Sequence, residues 1–213
     1  RNQILGKQFE WYENGNIKSE TEVVIDKKTK NSTTKIVHYW NSNNEQKVID
    51  GEGEYEETEL YPMANKNHQV INSKGSIKNY LKEGTWSGNS FQNKFSFTEE
   101  YTNGKLISGK RIDSLGVEIK YDAVFQQPKP KYGMNHFYNF IAKNYNTPKV
   151  EGLQGKVYAT FIVDADGKVA DVKIVRDIGF GTGAEAIRVI TKYNQWQAGS
   201  FRGVPIRVMY SLP

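Results

Sequence analysis

Gly155 to Val175 read GKVYATFIVDADGKVADVKIV. Val157, Ala159, Phe161 and Val163 recur every second residue, the period of a strand with one buried face. Asp166-Gly167 supplies the positive φ angles of a tight hairpin turn. On the return, Ala170, Val172 and Ile174 are expected on one face, with Asp171 and Lys173 on the other. Asp164, Asp166 and Gly167 also resemble the start of a calcium loop. Lys168 and Val175 stand where that loop needs a further acidic ligand and a closing Glu, so the hairpin is the better reading.

Working outward, GMNHFYNFIAKNYNTP (Gly133–Pro148) sets Met134, Phe137, Tyr138, Ile141, Ala142 and Tyr145 at helical spacing, and Pro148 ends the pattern. Downstream, Thr182 and Glu185 have the spacing of a capping box. The helix they open carries Ala186, Ile187, Ile190 and Tyr193, and Trp196 closes that element. The chain then ends in RGVPIRVMYSLP (Arg202–Pro213). Val204, Ile206, Val208, Tyr210 and Leu212 alternate with Pro205, Arg207, Met209 and Ser211, which predicts one last strand. The order helix, strand, strand, helix, strand predicts a small α/β sandwich, with two helices on one face of an antiparallel sheet. Its expected core is Phe137, Ile141, Phe161, Val163, Ile187, Ile190, Val208 and Tyr210.

QQPKPKYG (Gln126–Gly133) marks a change of composition and carries two prolines. The expected organisation is a β region over 1–125, a short Pro-containing linker over 126–132 and a second domain over 133–213. The first region is rich in Tyr, Trp, Asn, Gly and Thr and shows no helical pattern. WYENGNIKSE (Trp11–Glu20) and EYTNGKLISG (Glu100–Gly109) share an aromatic-x-Asn-Gly core followed by an aliphatic residue. Asn-Gly favours a type I′ turn between paired strands. HYWNSNNEQKVIDGEGEY (His38–Tyr55), EGTWSG (Glu83–Gly88) and DSLGVEIKY (Asp113–Tyr121) keep parts of the pattern. Stacked hairpins of this kind build an elongated antiparallel sheet. Lys27–Thr34 and Tyr61–Gln69 read as loops. The whole chain is thus α+β.

The 213 residues have a mean hydropathy of -0.69 and a net charge of +5. Residues 1–123 carry 17 Lys+Arg against 18 Asp+Glu, and residues 124–213 carry 12 against 6. The basic character therefore belongs to the second part and favours an acidic partner there. The near-neutral first part argues against nucleic acid. With no cysteine, disulfides, thiolate metal sites and cysteine nucleophiles are excluded. Numbering from Arg1 is read as starting inside a longer gene product, with an export signal or anchor upstream.

No catalytic constellation emerges. His38, His68 and His136 are scattered, without the spacing of metal ligands. EGEYEETE (Glu52–Glu59) reads as a solvated strand face. GFGTG (Gly179–Gly183) lacks both the Gly-Lys-Ser/Thr ending and the Gly-x-Gly-x-x-Gly spacing of phosphate loops. No Gly-x-Ser-x-Gly is present. An enzyme is not expected, nor is a cofactor or metal.

The hairpin, the AEAIRVI helix, Trp196 and GVPIRVMYSLP, with the helix from Gly133, together resemble the C-terminal domain of TonB-like proteins in the form common in Bacteroidetes. The hairpins over Lys7–Asp122 resemble degenerate MORN-variant repeats. The TonB resemblance implies a periplasmic, non-enzymatic protein that grips the TonB-box peptide of outer-membrane transporters and takes part in energy-coupled uptake. Inner-membrane motor proteins are the other partners it implies. The peptide would add as a strand beside the last one. That assigns the binding residues as Val204, Ile206, Arg207, Val208, Met209, Tyr210 and Ser211, with Arg188 and Arg202 as electrostatic support. Arg207, Met209 and Ser211 form the outward set. The edge is equally open to a second copy of the chain in a homodimer. The alternative is a cell-envelope scaffold, in which the repeat sheet engages a partner and the TonB-like domain docks or dimerises without energy transduction.

Overall fold

The computed structural model describes residues 5–28, 30–62 and 68–212. The chain divides into two compact units, Arg1–Asp122 and Ala123–Pro213. Among the described residues no helix is long and apolar enough to cross a membrane.

The first unit is a ten-stranded antiparallel meander in which spatial order follows chain order. Its strands are β1 (Gly6–Trp11), β2 (Ile17–Ile25), β3 (Ser32–Trp40), β4 (Gln46–Ile49), β5 (Glu52–Pro62), β6 (His68–Lys78), β7 (Leu81–Ser90), β8 (Phe95–Thr102), β9 (Lys105–Ile112) and β10 (Glu118–Tyr121). The strict alternation of buried and exposed residues along β8 shows the period of two directly. The buried face carries Tyr39, Val48, Tyr55, Ile77, Trp86 and Tyr101 as one cluster. Its rings pack in sequence, Tyr39 on Tyr55 at 4.8 Å, Tyr55 on Trp86 at 6.3 Å and Trp86 on Tyr101 at 6.1 Å.

Glycines make room for these rings. Gly88 faces Phe97 and Gly109 faces Tyr121 across the strand pairs, and a Cβ at either would overlap the ring. Gly75 lies under the Trp86 indole in the same way. In all three places an aromatic on one strand lies over a glycine on the strand before it. A buried carboxylate is built into this face as well. Glu99 accepts hydrogen bonds from Tyr101 Oη at 3.0 Å and Tyr121 Oη at 2.7 Å.

The two Asn-Gly turns differ. Asn103 and Gly104 both have positive φ, 50° and 75°, as a type I′ turn requires. At Asn14-Gly15 only Gly15 does, because a longer turn runs from Tyr12 to Asn16. Asp50-Gly51 and Asn79-Tyr80 are further two-residue turns with both φ positive. The loop expected over Lys27–Thr34 is shorter, since β3 begins at Ser32. Of the loop expected over Tyr61–Gln69, residues 63–67 lie outside the described ones. Its flanks, Tyr61–Pro62 and His68–Gln69, belong to β5 and β6.

The second unit contains β11 (Phe125–Gln126), β12 (Lys129–Pro130), α1 (Gly133–Asn144), β13 (Tyr158–Val163), β14 (Val169–Arg176), α2 (Thr182–Lys192), β15 (Trp196–Gln197), β16 (Gly199–Phe201), β17 (Val204–Ile206) and β18 (Val208–Leu212). Three small sheets form, in the orders β14-β13-β18, β11-β16-β17 and β12-β15. Residues 125–126 and 129–130, around the prolines of the expected linker, pair within this unit.

Its core is Phe137, Ala159, Phe161, Val163, Ala186, Ile190, Tyr193 and Trp196. Trp196 is at the centre, with Phe137 at 5.4 Å, Phe161 at 5.3 Å and Tyr210 at 4.9 Å. Several local expectations are corrected. Ile187 is 38 % exposed, and Val189 is buried in its place. Ala186, Val189, Ile190 and Tyr193 follow the i, i+3, i+4, i+7 stripe, and Ile187 lies off it. Tyr138 is likewise exposed, while Phe140 packs on the core. Val208 is only half-buried. Helix α1 stops at Asn144, before Pro148, where Tyr145 turns extended.

No capping box forms on α2. Its N-cap is Gly181 at φ 79°, and Thr182 is already helical. The Thr182 hydroxyl lies against the Asp177 carboxylate and Gly179 O instead. Finally, β14 is bulged. Val169 pairs with Val163 and Ala170 with Ile162, but Lys173 pairs with Thr160. The extra residue, with Asp171 at φ 49°, moves Ala170 off the face of Val172 and Ile174.

Candidate functional site

The segment expected as one last strand is two. Val204–Ile206 pairs with β16, and Val208–Leu212 pairs with β13. The break falls at Arg207, where the chain leaves one small sheet for another. Alternation survives it: Val204, Ile206, Val208, Tyr210 and Leu212 are half-buried, and Pro205, Arg207, Met209 and Ser211 are exposed. Tyr210 pairs with Phe161 and reaches the core, while Met209 pairs with Ile162 on the outer face. Met209 is 69 % exposed.

Strand β18 closes one side of the sheet β14-β13-β18, so one of its two flanks has no strand against it among the described residues. Such a flank presents backbone N–H and C=O groups without sheet partners. That is the chemistry this arrangement offers: main-chain hydrogen bonds to an extended segment, with side chains on alternate faces.

The three arginines differ in setting. Arg207 Nε lies 3.0 Å from Asp164 Oδ1, and its Nη2 lies 2.8 Å from Asp171 Oδ2. It therefore ties the break between β17 and β18 to the β13–β14 hairpin. Arg202 is buried, with its guanidinium 4.9 Å from the Phe201 ring centre. Arg188 donates to Glu185 through Nε and Nη2, and Nη2 also reaches Asn144 O at 2.6 Å.

That last contact belongs to a brace between the two helices. Glu185 Oε1 accepts from Asn146 N–H at 2.7 Å. Tyr145 Oη donates to Thr182 O at 3.0 Å. The Arg188 guanidinium, first, and the Asn146 amide, second, hold the Glu185 carboxyl down at about 2.

Beside the brace lies an apolar cavity of about 380 Å³. Ile141, Val157, Ala159, Ala186, Val189 and Leu212 line it. Its floor includes the cross-strand pair Ala159 and Leu212, so the last residue of β18 is also a cavity wall. Nothing in the sequence pattern marks this cavity, because most of its lining residues are of the same kind as the core's. The acids that hold Arg207 were likewise missed. Asp164 and Asp171 read only as turn and solvent-face residues.

Among the described residues no group of three or more His, Cys, Asp or Glu is placed to hold a metal ion. No curated protein and no solved structure matches the chain. Residues 149–213 match the family model described as Gram-negative bacterial TonB protein C-terminal. The match takes in β13, β14, α2 and the paired segments through β18, and starts after α1. The second unit thus contains a TonB-like C-terminal domain.

Proposed function

We propose that this protein works in the periplasm as a non-enzymatic TonB-like partner of outer-membrane transporters. It takes the transporter's TonB-box peptide as an added strand along β18 and participates in energy-coupled uptake. The observation that carries the reading is the edge position of β18 within a domain that matches the TonB C-terminal family. The outward set Arg207, Met209 and Ser211 then forms the side-chain rim of the groove, and backbone groups of residues 208–212 supply the grip. The first unit is read as MORN-like hairpin repeats that extend the domain's reach or its contacts.

The scaffold reading has one observation in its favour. Phe9 and Trp11, on the outermost strand β1, are 44 % and 59 % exposed, with ring centres 6.0 Å apart. An exposed aromatic pair of this kind suits a second partner.

Peptides from the N-termini of TonB-dependent transporters, titrated against the full chain with amide hydrogen exchange as the readout, test the proposal. Alternate amides of residues 208–212, those facing the open flank, exchange fast in the free protein and become protected on binding. Protection elsewhere with none in β18 would reject the edge as the site.

A further inference from the structure

The cavity beside Leu212 has a consequence for which peptide the edge accepts. This step rests on the strand-addition reading. A strand added along β18 continues the sheet, so every second side chain points to the helix side, as Val208, Tyr210 and Leu212 do. Along most of β18 that side is already filled. The Tyr210 ring packs on Phe161 at 5.5 Å and Trp196 at 4.9 Å, and its hydroxyl lies 3.9 Å from Met134 Sδ. At Leu212 the helix side borders the 380 Å³ cavity, whose other sheet-side wall is its cross-strand partner Ala159. The Tyr145–Thr182 and Asn146–Glu185–Arg188 contacts tie the end of α1 to α2 beside it.

We infer that the cavity between α1, α2 and the Ala159–Leu212 pair is a specificity pocket for one large apolar side chain of the added peptide, at the position flanking Leu212. Its volume falls in the range of about 300–1,000 Å³ common to ligand pockets, and its lining is mostly apolar, with Tyr145, Thr147, Gln154 and Thr182 as its polar side chains. No charged residue lines it, so a charged side chain there would lose its hydration without gaining an opposite charge. The edge backbone would thus provide grip, and one apolar anchor would provide choice.

The test takes the tightest-binding transporter peptide and replaces each residue in turn by Leu and by Asp. Dissociation constants are measured on the full chain by calorimetry. One position is expected at which Asp binds about ten- to hundredfold more weakly than Leu, the equivalent of burying one aliphatic side chain. Ala186→Leu fills the cavity and should shrink that gap to less than about threefold while thermal unfolding shows the domain intact. Leu212→Ala enlarges the cavity and should move the preference at that position from Leu to Phe or Trp. A flat scan, or a gap that neither variant alters, overturns the pocket and leaves edge binding standing. If no transporter peptide binds, both readings fall together.

Discussion

Arg207 Nη2 meets Asp171 Oδ2 at 2.8 Å because Asp171 is the extra residue of the β14 bulge. The two side chains are 42 % and 58 % exposed, so water screens the pair. Arg207→Ala should therefore cost less than about 1 kcal/mol in urea unfolding. Its larger effect should be local, at the turn from β17 into β18. Hydrogen exchange at Val208 and Met209 should quicken while the amides of Phe161 and Val163 stay protected. Slower exchange at Val208, or a loss of several kcal/mol, would show that the guanidinium has another role.

Gly109 and Gly15 predict opposite kinds of damage. A Cβ at Gly109 overlaps the Tyr121 ring, whereas one at Gly15 meets open space. Gly109→Ala should destabilise the first unit by about 1–3 kcal/mol through overpacking. Gly15→Ala suffers only the left-handed backbone at φ 84°, about 1–2 kcal/mol. Tyr121→Leu is itself destabilising, since it removes a hydrogen bond from buried Glu99, but in that background Gly109→Ala should cost less than in the wild type and Gly15→Ala the same. Urea unfolding of the three single variants and the two double variants measures this directly. Equal rescue of both glycine variants would refute the aromatic-over-glycine account.

Acid should release the helix brace. The folded pKa of Glu185, about 2, lies below its usual 4.5. The unfolded chain thus binds the proton more readily, and stability from this group is full above about pH 4.5 and is lost as pH falls through 4.5 toward 2. Urea unfolding at pH 6, 4, 3 and 2 should show a steeper acid loss for the wild type than for Glu185→Gln. Parallel curves would show that the Arg188 and Asn146 contacts do not hold the carboxylate ionised in solution.

The hairpin over residues 158–176 was legible because its alternation reflects one buried face, a property of each residue separately. Its bulge was not, since an inserted residue leaves the composition unchanged and is fixed by what it must meet, here Arg207. The face of α2 was half legible. Ile187 is the more hydrophobic residue, but the 3.6-residue period puts Val189 on the buried stripe. Thr182 and Glu185 had the spacing of a cap, yet Gly181 took the cap position and released both side chains to Asp177 and to Asn146. Strands of two or three residues, such as β11, β12 and β15, contain no period to read and exist only through their partners. The cavity at Leu212 was hidden for a related reason, since an aliphatic wall and an aliphatic core use the same residues.

The two units differ in how far apart in sequence their contacts lie. In the meander each strand pairs with its neighbour in the chain, so hairpins can form locally and add one by one, as low contact order favours fast folding. The edge strand β18 has no such neighbour. It pairs with β13, from which β14, α2 and the short strands separate it in sequence. Its place in the sheet thus rests on contacts between distant parts of the chain, the kind that slow folding.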